Sequence, residues 1–214
     1  MAFKLSEDIN FLETQRPKLL PIVQKPRDRG KKTLVLDLDE TLIHSSFQPV
    51  PDADFKIVCS LNNVTCHVDI RIRPFAEEFI RQLAPYYEII LFTASMQDYA
   101  EPIYRKLDPA NLTSFMLFRQ HCTETQGMLV KDLKRLNRPM SDVIIVDNSP
   151  HAFYFQPENS LPSVSWYDDR TDNQLQDFML LLTLLSEVKD VRVGLKTFVF
   201  EERLTLKKKL ALQQ

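Results

Sequence analysis

Short, densely apolar runs separated by amphipathic stretches dominate the chain. Thr33–Leu38 (TLVLDL) is the first, rich enough in Leu and Val for a buried strand. Glu88–Thr93 (EIILFT), Ser114–Phe118 and Asp142–Asp147 (DVIIVD) read the same way. Pro74 opens a helix over FAEEFIRQLA, with Phe75, Phe79 and Leu83 on one face and Glu77 and Glu78 in its first turns. Met96–Leu107 predicts a second helix, bent or delayed at Pro102. Asp172–Val188 predicts a strongly apolar third, capped by Asp172. Strands alternating with helices predict an α/β fold, a Rossmann-like parallel sheet with helices on both faces. Strand order stays open.

Residues 54–73 follow a different period. Val64, Cys66, Val68, Ile70 and Ile72 alternate with Thr65, His67, Asp69, Arg71 and Arg73, the period-two pattern of a strand. Asn62–Asn63 precedes them and tolerates the positive φ of a tight turn. The expectation is a small antiparallel β-hairpin inserted after the first strand. Residues 1–32, with Pro17, Pro21 and Pro26, read as a loosely docked lead-in. The α/β domain is expected over 33–190. Residues 191–214 form a C-terminal extension in which KTFVF suggests a strand and the basic tail a helix.

At 214 residues the chain is long enough for one such domain. A formal net charge of −2 offers no global attraction to nucleic acid or acidic membranes. The apolar Phe178–Leu185 is too short to span a bilayer and reads as core helix. The start MAFKLSEDINFLETQ lacks the layout of a secretory signal. Three cysteines without a CxxC pair argue against a disulfide framework, so nucleus or cytoplasm is the expected location. Gly30, Gly127 and Gly194 stand too far apart for a glycine-rich phosphate loop. Any phosphate site must be built another way.

Candidate chemistry sits at the strand ends, where an open α/β sheet places its ligands. Asp37-Leu38-Asp39-Glu40-Thr41 ends the first strand, Thr93 the next, and Asp147-Asn148 a later one, with Lys131 in the segment before it. Carboxylates, a hydroxyl, an amine and an acidic pair able to hold a metal are the parts phosphoryl transfer requires. An Asp carboxylate can accept phosphate covalently. A second Asp two residues on can act as general acid and base. Mg2+ needs only one or two carboxylates besides the phosphate.

DLDETLIHSSF (37–47), LFTASMQDYA (91–100), LVKDL (129–133) and IIVDNSP (144–150) resemble the small phosphatases that act on the RNA polymerase II C-terminal domain. That family, with the NLI-interacting-factor-like and Dullard-type phosphatases, lies in the haloacid-dehalogenase superfamily. The resemblance implies that fold and an Mg2+-dependent serine/threonine phosphatase with an aspartyl-phosphate intermediate. Asp37 would be nucleophile and metal ligand, and Asp39 general acid/base with its carbonyl on the metal. Thr93 and Lys131 would hold the phosphate. Asn148 would ligate the metal directly, and Asp147 would act through water or by orienting Lys131. Thr41, Phe47, Cys59, Leu61, Val68, Met96, Tyr99 and Arg119 would serve the substrate, the apolar ones forming a pocket for proline. The implied partner is a phosphoprotein such as the RNA polymerase II C-terminal domain. Leu129, where an aromatic is common, the small Cys59 and the segment TETQG depart from the family and bear on peptide preference.

Competing readings are weaker. His121-Cys122 lacks the arginine of a cysteine phosphatase, since Met128 stands there. Cys66 and His67 point to opposite sheet faces and cannot share a metal. His44 and His151 read as packing or hydrogen-bonding groups, and Lys207–Lys209 as a solvated face or a weak nuclear signal. A small phosphometabolite substrate, or an inactive phosphopeptide-binding module, remains as the alternative function. The short insertion favours a protein substrate, and the retained Asp37, Asp39 and Lys131 favour activity.

Overall fold

The computed structural model describes residues 18–61 and 64–197. Five parallel strands form the central sheet: β1 (Lys32–Leu36), β5 (Tyr87–Phe92), β6 (Phe115–Leu117), β9 (Val143–Asp147) and β10 (Ser160–Pro162). Their order is β10-β9-β1-β5-β6. The chain therefore starts in the middle of the sheet and builds outward in both directions. β1, β5 and β9 are almost wholly buried, as expected of apolar runs covered on both sides. In register, Leu36 lies beside Leu91 of β5 and Val146 of β9. The residues just beyond these three strands share one edge of the sheet.

Alternation divides the strand side chains between two cores. Leu34, Leu36, Ile89, Leu91, Ile144 and Val146 pack with the helices α1 (Ala76–Leu83), α2 (Gln97–Leu107) and α3 (Gln174–Ser186). Val35, Ile90, Phe92, Val143 and Ile145 pack against Leu133 and Leu136 of a 3₁₀ turn, Phe153, and Leu20 and Ile22 of the lead-in. The α/β class stands. Helices on both faces become α-helices on one and 3₁₀ turns plus an extended segment on the other.

The described part of the lead-in is thus docked rather than loose. Leu20 N–H donates to Arg135 O at 2.9 Å, and the Arg27 guanidinium reaches the carbonyls of Asn111, Leu112 and Thr113. Two buried aliphatic side chains, Leu20 and Ile22, and these bonds hold it in place.

The insertion is a three-stranded antiparallel sheet in the order β2-β4-β3, with β2 (Ile43–Ser46), β3 (Phe55–Leu61) and β4 (Val64–Ile72). Hairpin β3–β4 is the expected one, and β2 joins it because the chain after Asp39 reverses at once. A second hairpin, β7 (Thr123–Thr125) with β8 (Met128–Val130), was not expected. Helix α2 runs through Pro102, its sixth residue, and gives up one i→i−4 bond there. Helix α3 starts at Gln174 and ends at Ser186, so Asp172 lies ahead of it and accepts from Gln174 N–H at 3.2 Å. Residues 191–197 are helical. Most of the expected KTFVF strand and the basic tail lie outside the described residues, as does the Asn62–Asn63 turn.

Candidate active site

One tight turn builds the centre of the site. Beyond β1, Leu38 O receives the N–H groups of Thr41, Leu42 and Ile43 at 3.3, 2.9 and 3.2 Å. Glu40 adopts a left-handed backbone, φ 57°, which is costly for a side chain with a Cβ. The reversal leaves the Asp37 and Asp39 carboxylates close together at the sheet edge. Their charges interact: burial pushes the Asp39 carboxyl above its ordinary range, hydrogen bonds oppose this, and the Asp37 charge adds to it. Asp39 receives Tyr99 O–H at 2.5 Å, Ser95 O–H at 2.8 Å and Thr93 O–H at 3.3 Å. Burial and the Asp39 charge together hold the Tyr99 phenol protonated.

Lys131 follows β8 and points its ammonium between two carboxylates, 2.5 Å from Asp37 and 2.6 Å from Asp147. It is buried, which disfavours its charge, yet the carboxylates of Asp147 and Asp37 outweigh that and raise its pKa. Asp147 is held at about 6 by burial and the Asp37 charge, with Lys131 opposing. Its second oxygen accepts Ser149 N–H at 2.8 Å. Both Asp147 oxygens are thus engaged by protein groups, one of them by Lys131. Asn148 donates its amide N–H to Ser165 at 2.9 Å and turns its oxygen toward Thr41, 3.3 Å away.

The cleft over these groups holds about 570 Å³ and is lined by Asp37, Asp39, Glu40, Thr93, Lys131, Asp147 and Asn148 on its polar side. Phe47, Met96, Leu129 and Ala152 form an apolar lip, with Phe47 56% and Met96 40% exposed. Tyr99 and Arg119 also face it; the Arg119 guanidinium donates to Ala94 O at 2.7 Å.

Three expected substrate residues lie elsewhere. Thr41 is fully buried and donates to Asp37 at 2.9 Å, so it holds that carboxylate from below. Cys59 and Val68 belong to the core shared with α2, because β3–β4 pairing puts Ile57, Cys59, Cys66 and Val68 on one packed face. The Leu61 side chain lies outside the described residues.

Ser95, Ser149, Ser165 and Arg73 were not singled out from the sequence. Ser95 and Ser149 sit two residues beyond motif positions, a signal that was available. Arg73 is fully buried. It donates to Thr41 O at 3.1 Å, Ser163 Oγ at 2.9 Å and Asp172 at 2.8 and 2.9 Å. It ties the turn after β1 to the start of α3, and nothing local in the sequence announces that.

The model of the NLI interacting factor-like phosphatases matches residues 32–192. A probable C-terminal domain small phosphatase of Dictyostelium discoideum is 43% identical over 89% of this chain and 62% of its own length. Phosphatase Herzog of Drosophila melanogaster is 42% identical over 84% of this chain and 51% of its own. The human carboxy-terminal domain RNA polymerase II polypeptide A small phosphatase 2 is 41% identical over 83% and 65%. The chain thus spans about half to two thirds of these relatives. The structure of Fcp1, an essential RNA polymerase II CTD phosphatase, superposes with a TM-score of 0.54 at 19% identity, over 84% of this chain and 52% of that one, a likeness of fold. Since the family match runs unbroken from the first sheet strand through the helix behind the last, the chain belongs to the NLI interacting factor-like phosphatases.

Proposed function

We propose that the chain is an Mg2+-dependent protein serine/threonine phosphatase that carries phosphate on Asp37. Its substrate is phosphoserine followed by proline, as in the RNA polymerase II C-terminal domain, and it works in the nucleus, the cytoplasm or both. The observation that carries this reading is one constellation. Lys131 bridges Asp37 and Asp147 at 2.5 and 2.6 Å, while Asp39, two residues from Asp37, is held by Tyr99, Ser95 and Thr93 in the same open cleft.

The donor set suits Mg2+. The Asp37 carboxylate, the Asp39 main-chain carbonyl and Asn148 Oδ1 are hard oxygen donors, and the Asn148 amide is oriented by Ser165. No three His, Cys, Asp or Glu side chains among the described residues are spaced for a metal; Mg2+ needs fewer protein ligands and keeps several waters. When bound, it would offset charge on the phosphate oxygens.

Asp37 attacks phosphorus, and the bond to the serine oxygen breaks as Asp39 gives that oxygen its proton. The raised pKa of Asp39 suits it to hold a proton for this step. Lys131 and Thr93 hold the phosphate oxygens in line. Asp39 then takes a proton from water, the water oxygen attacks phosphorus, and the Asp37 carboxylate leaves. The apolar lip of Phe47, Met96 and Leu129 receives the proline, and the open cleft admits an extended chain.

The test is phosphate release from a phosphoserine–proline heptad-repeat peptide with magnesium or EDTA, with Asp37→Asn as control. Magnesium-dependent release that disappears in the variant is expected. Release that persists in Asp37→Asn would overturn the mechanism. Hydrolysis of an aryl phosphate without peptide turnover would overturn the substrate.

A further inference from the structure

The hairpin β3–β4 carries two of the three cysteines in one cross-strand position: Cys59 and Cys66 are direct partners in its register. Directly opposed residues of an antiparallel pair have Cα atoms about 4.5–5.5 Å apart, and their side chains project from the same face. Disulfides span Cα separations of about 4.4–6.8 Å, so no strand has to move far to close one. Both thiols are free. Cys59 is buried against α2, while Cys66 is partly exposed and directs its Sγ toward Val64 O at 3.6 Å. A shallow groove bounded by Cys59, Ser60, Gln97 and Glu101 borders the Cys59 side of the pair. Cys122 stands apart, in the other core, with its Sγ 3.9 Å from Thr93 O.

We propose that Cys59 and Cys66 form an oxidisable pair that peroxide closes to an intrahairpin disulfide. The more exposed Cys66 thiolate attacks the peroxide O–O bond, taking one oxygen as sulfenic acid and releasing hydroxide, which is protonated to water. Cys59 sulfur then attacks Cys66 sulfur, and the hydroxyl leaves with the Cys59 proton as a second water. Two thiols and one hydrogen peroxide thus give one disulfide and two waters. Burial raises the Cys59 thiol pKa, and the neighbouring Cys66 adds to this, which leaves the more exposed Cys66 as the thiol that meets peroxide first. The bridge would pin the face of the inserted sheet that packs on α2, the helix carrying Tyr99.

Residues 57–71 contain both cysteines and no internal lysine or arginine, so trypsin releases them as one peptide. The full chain would be treated with hydrogen peroxide, denatured, alkylated with N-ethylmaleimide and digested. The expected product is this peptide two hydrogens lighter and unalkylated, becoming doubly alkylated once dithiothreitol is added first, with Cys122 alkylated throughout. In Cys66→Ser, Cys59 should stay alkylatable after the same treatment. A doubly alkylated peptide after peroxide, a sulfinic acid on Cys66 without the bridge, or loss of Cys59 alkylation in Cys66→Ser would each overturn the pair.

Discussion

Replacing Lys131 by methionine removes a buried ammonium while keeping most of its stem. Its side chain is 2% exposed, and the carboxylates it bridges, Asp37 and Asp147, are 8% and 1% exposed. The variant would leave two carboxylates facing each other with no counter-charge. Removing one partner of a buried pair costs about 3–5 kcal/mol. With a urea slope of about 2 kcal/mol per molar, the unfolding midpoint should fall by about 1.5–2.5 M near pH 7.5, measured in EDTA so that no divalent cation masks the charge. The loss should depend on pH. The folded-state pKa of Asp147 lies above its ordinary value, at about 6. Between about pH 4 and 6 the folded state therefore binds more protons than the unfolded one, and stability rises as pH falls through that window. Lys131 opposes this shift, so the variant should protonate Asp147 more readily still. Its deficit should be largest above pH 7 and shrink on acidification. The double variant Lys131→Met/Asp147→Asn should recover part of the loss at pH 7.5. A midpoint change worth less than about 1 kcal/mol, equal at pH 5 and pH 7.5, would refute the reasoning.

Asp37→Asn should lower turnover by at least about 10³-fold yet change stability little. Asp37 and Asp147 share one ammonium, and neutralising Asp37 relieves the repulsion that raises Asp147; urea unfolding beside peptide kinetics checks both halves. Tyr99→Phe removes a hydrogen bond that lowers the Asp39 pKa. The protonated acid should then persist to higher pH, moving the alkaline limb of the kcat/KM profile upward, and an unmoved limb would count against Asp39 as the acid. Phe47→Ala should raise the peptide KM by about 5–30-fold, the worth of about 1–2 kcal/mol of apolar contact, and leave an aryl phosphate unaffected. Equal losses on both substrates would remove Phe47 from the peptide pocket.

Legibility followed the range of the interactions. Asp37, Asp39, Thr93 and Asp147 announced themselves because each sits at or just past the end of an apolar run, and strand ends in such sheets converge. The hairpin β7–β8 escaped notice because its strands have three residues each, too few for a period to emerge. Its turn also uses Gln126 at φ 50° beside Gly127, and glutamine is no turn signal. For Cys59 and Val68 the resemblance implies a place in the cleft, but alternation is blind to which face meets solvent. The pairing with β4 and the packing on α2 decided that they belong to the core.

The sequence by itself determined the α/β class, the inserted antiparallel segment and the residue types assembled at the strand ends. Periodicity, strand length and motif spacing act over a few residues and need no partner. Only the tertiary structure decided the strand order, the docking of the lead-in and the support beneath Asp37. Arg73 shows why: it bonds to Thr41, 32 positions before it, and to Gln174, 101 positions after it. A buried guanidinium must satisfy its donors wherever the fold brings acceptors together, and no local pattern records where that is.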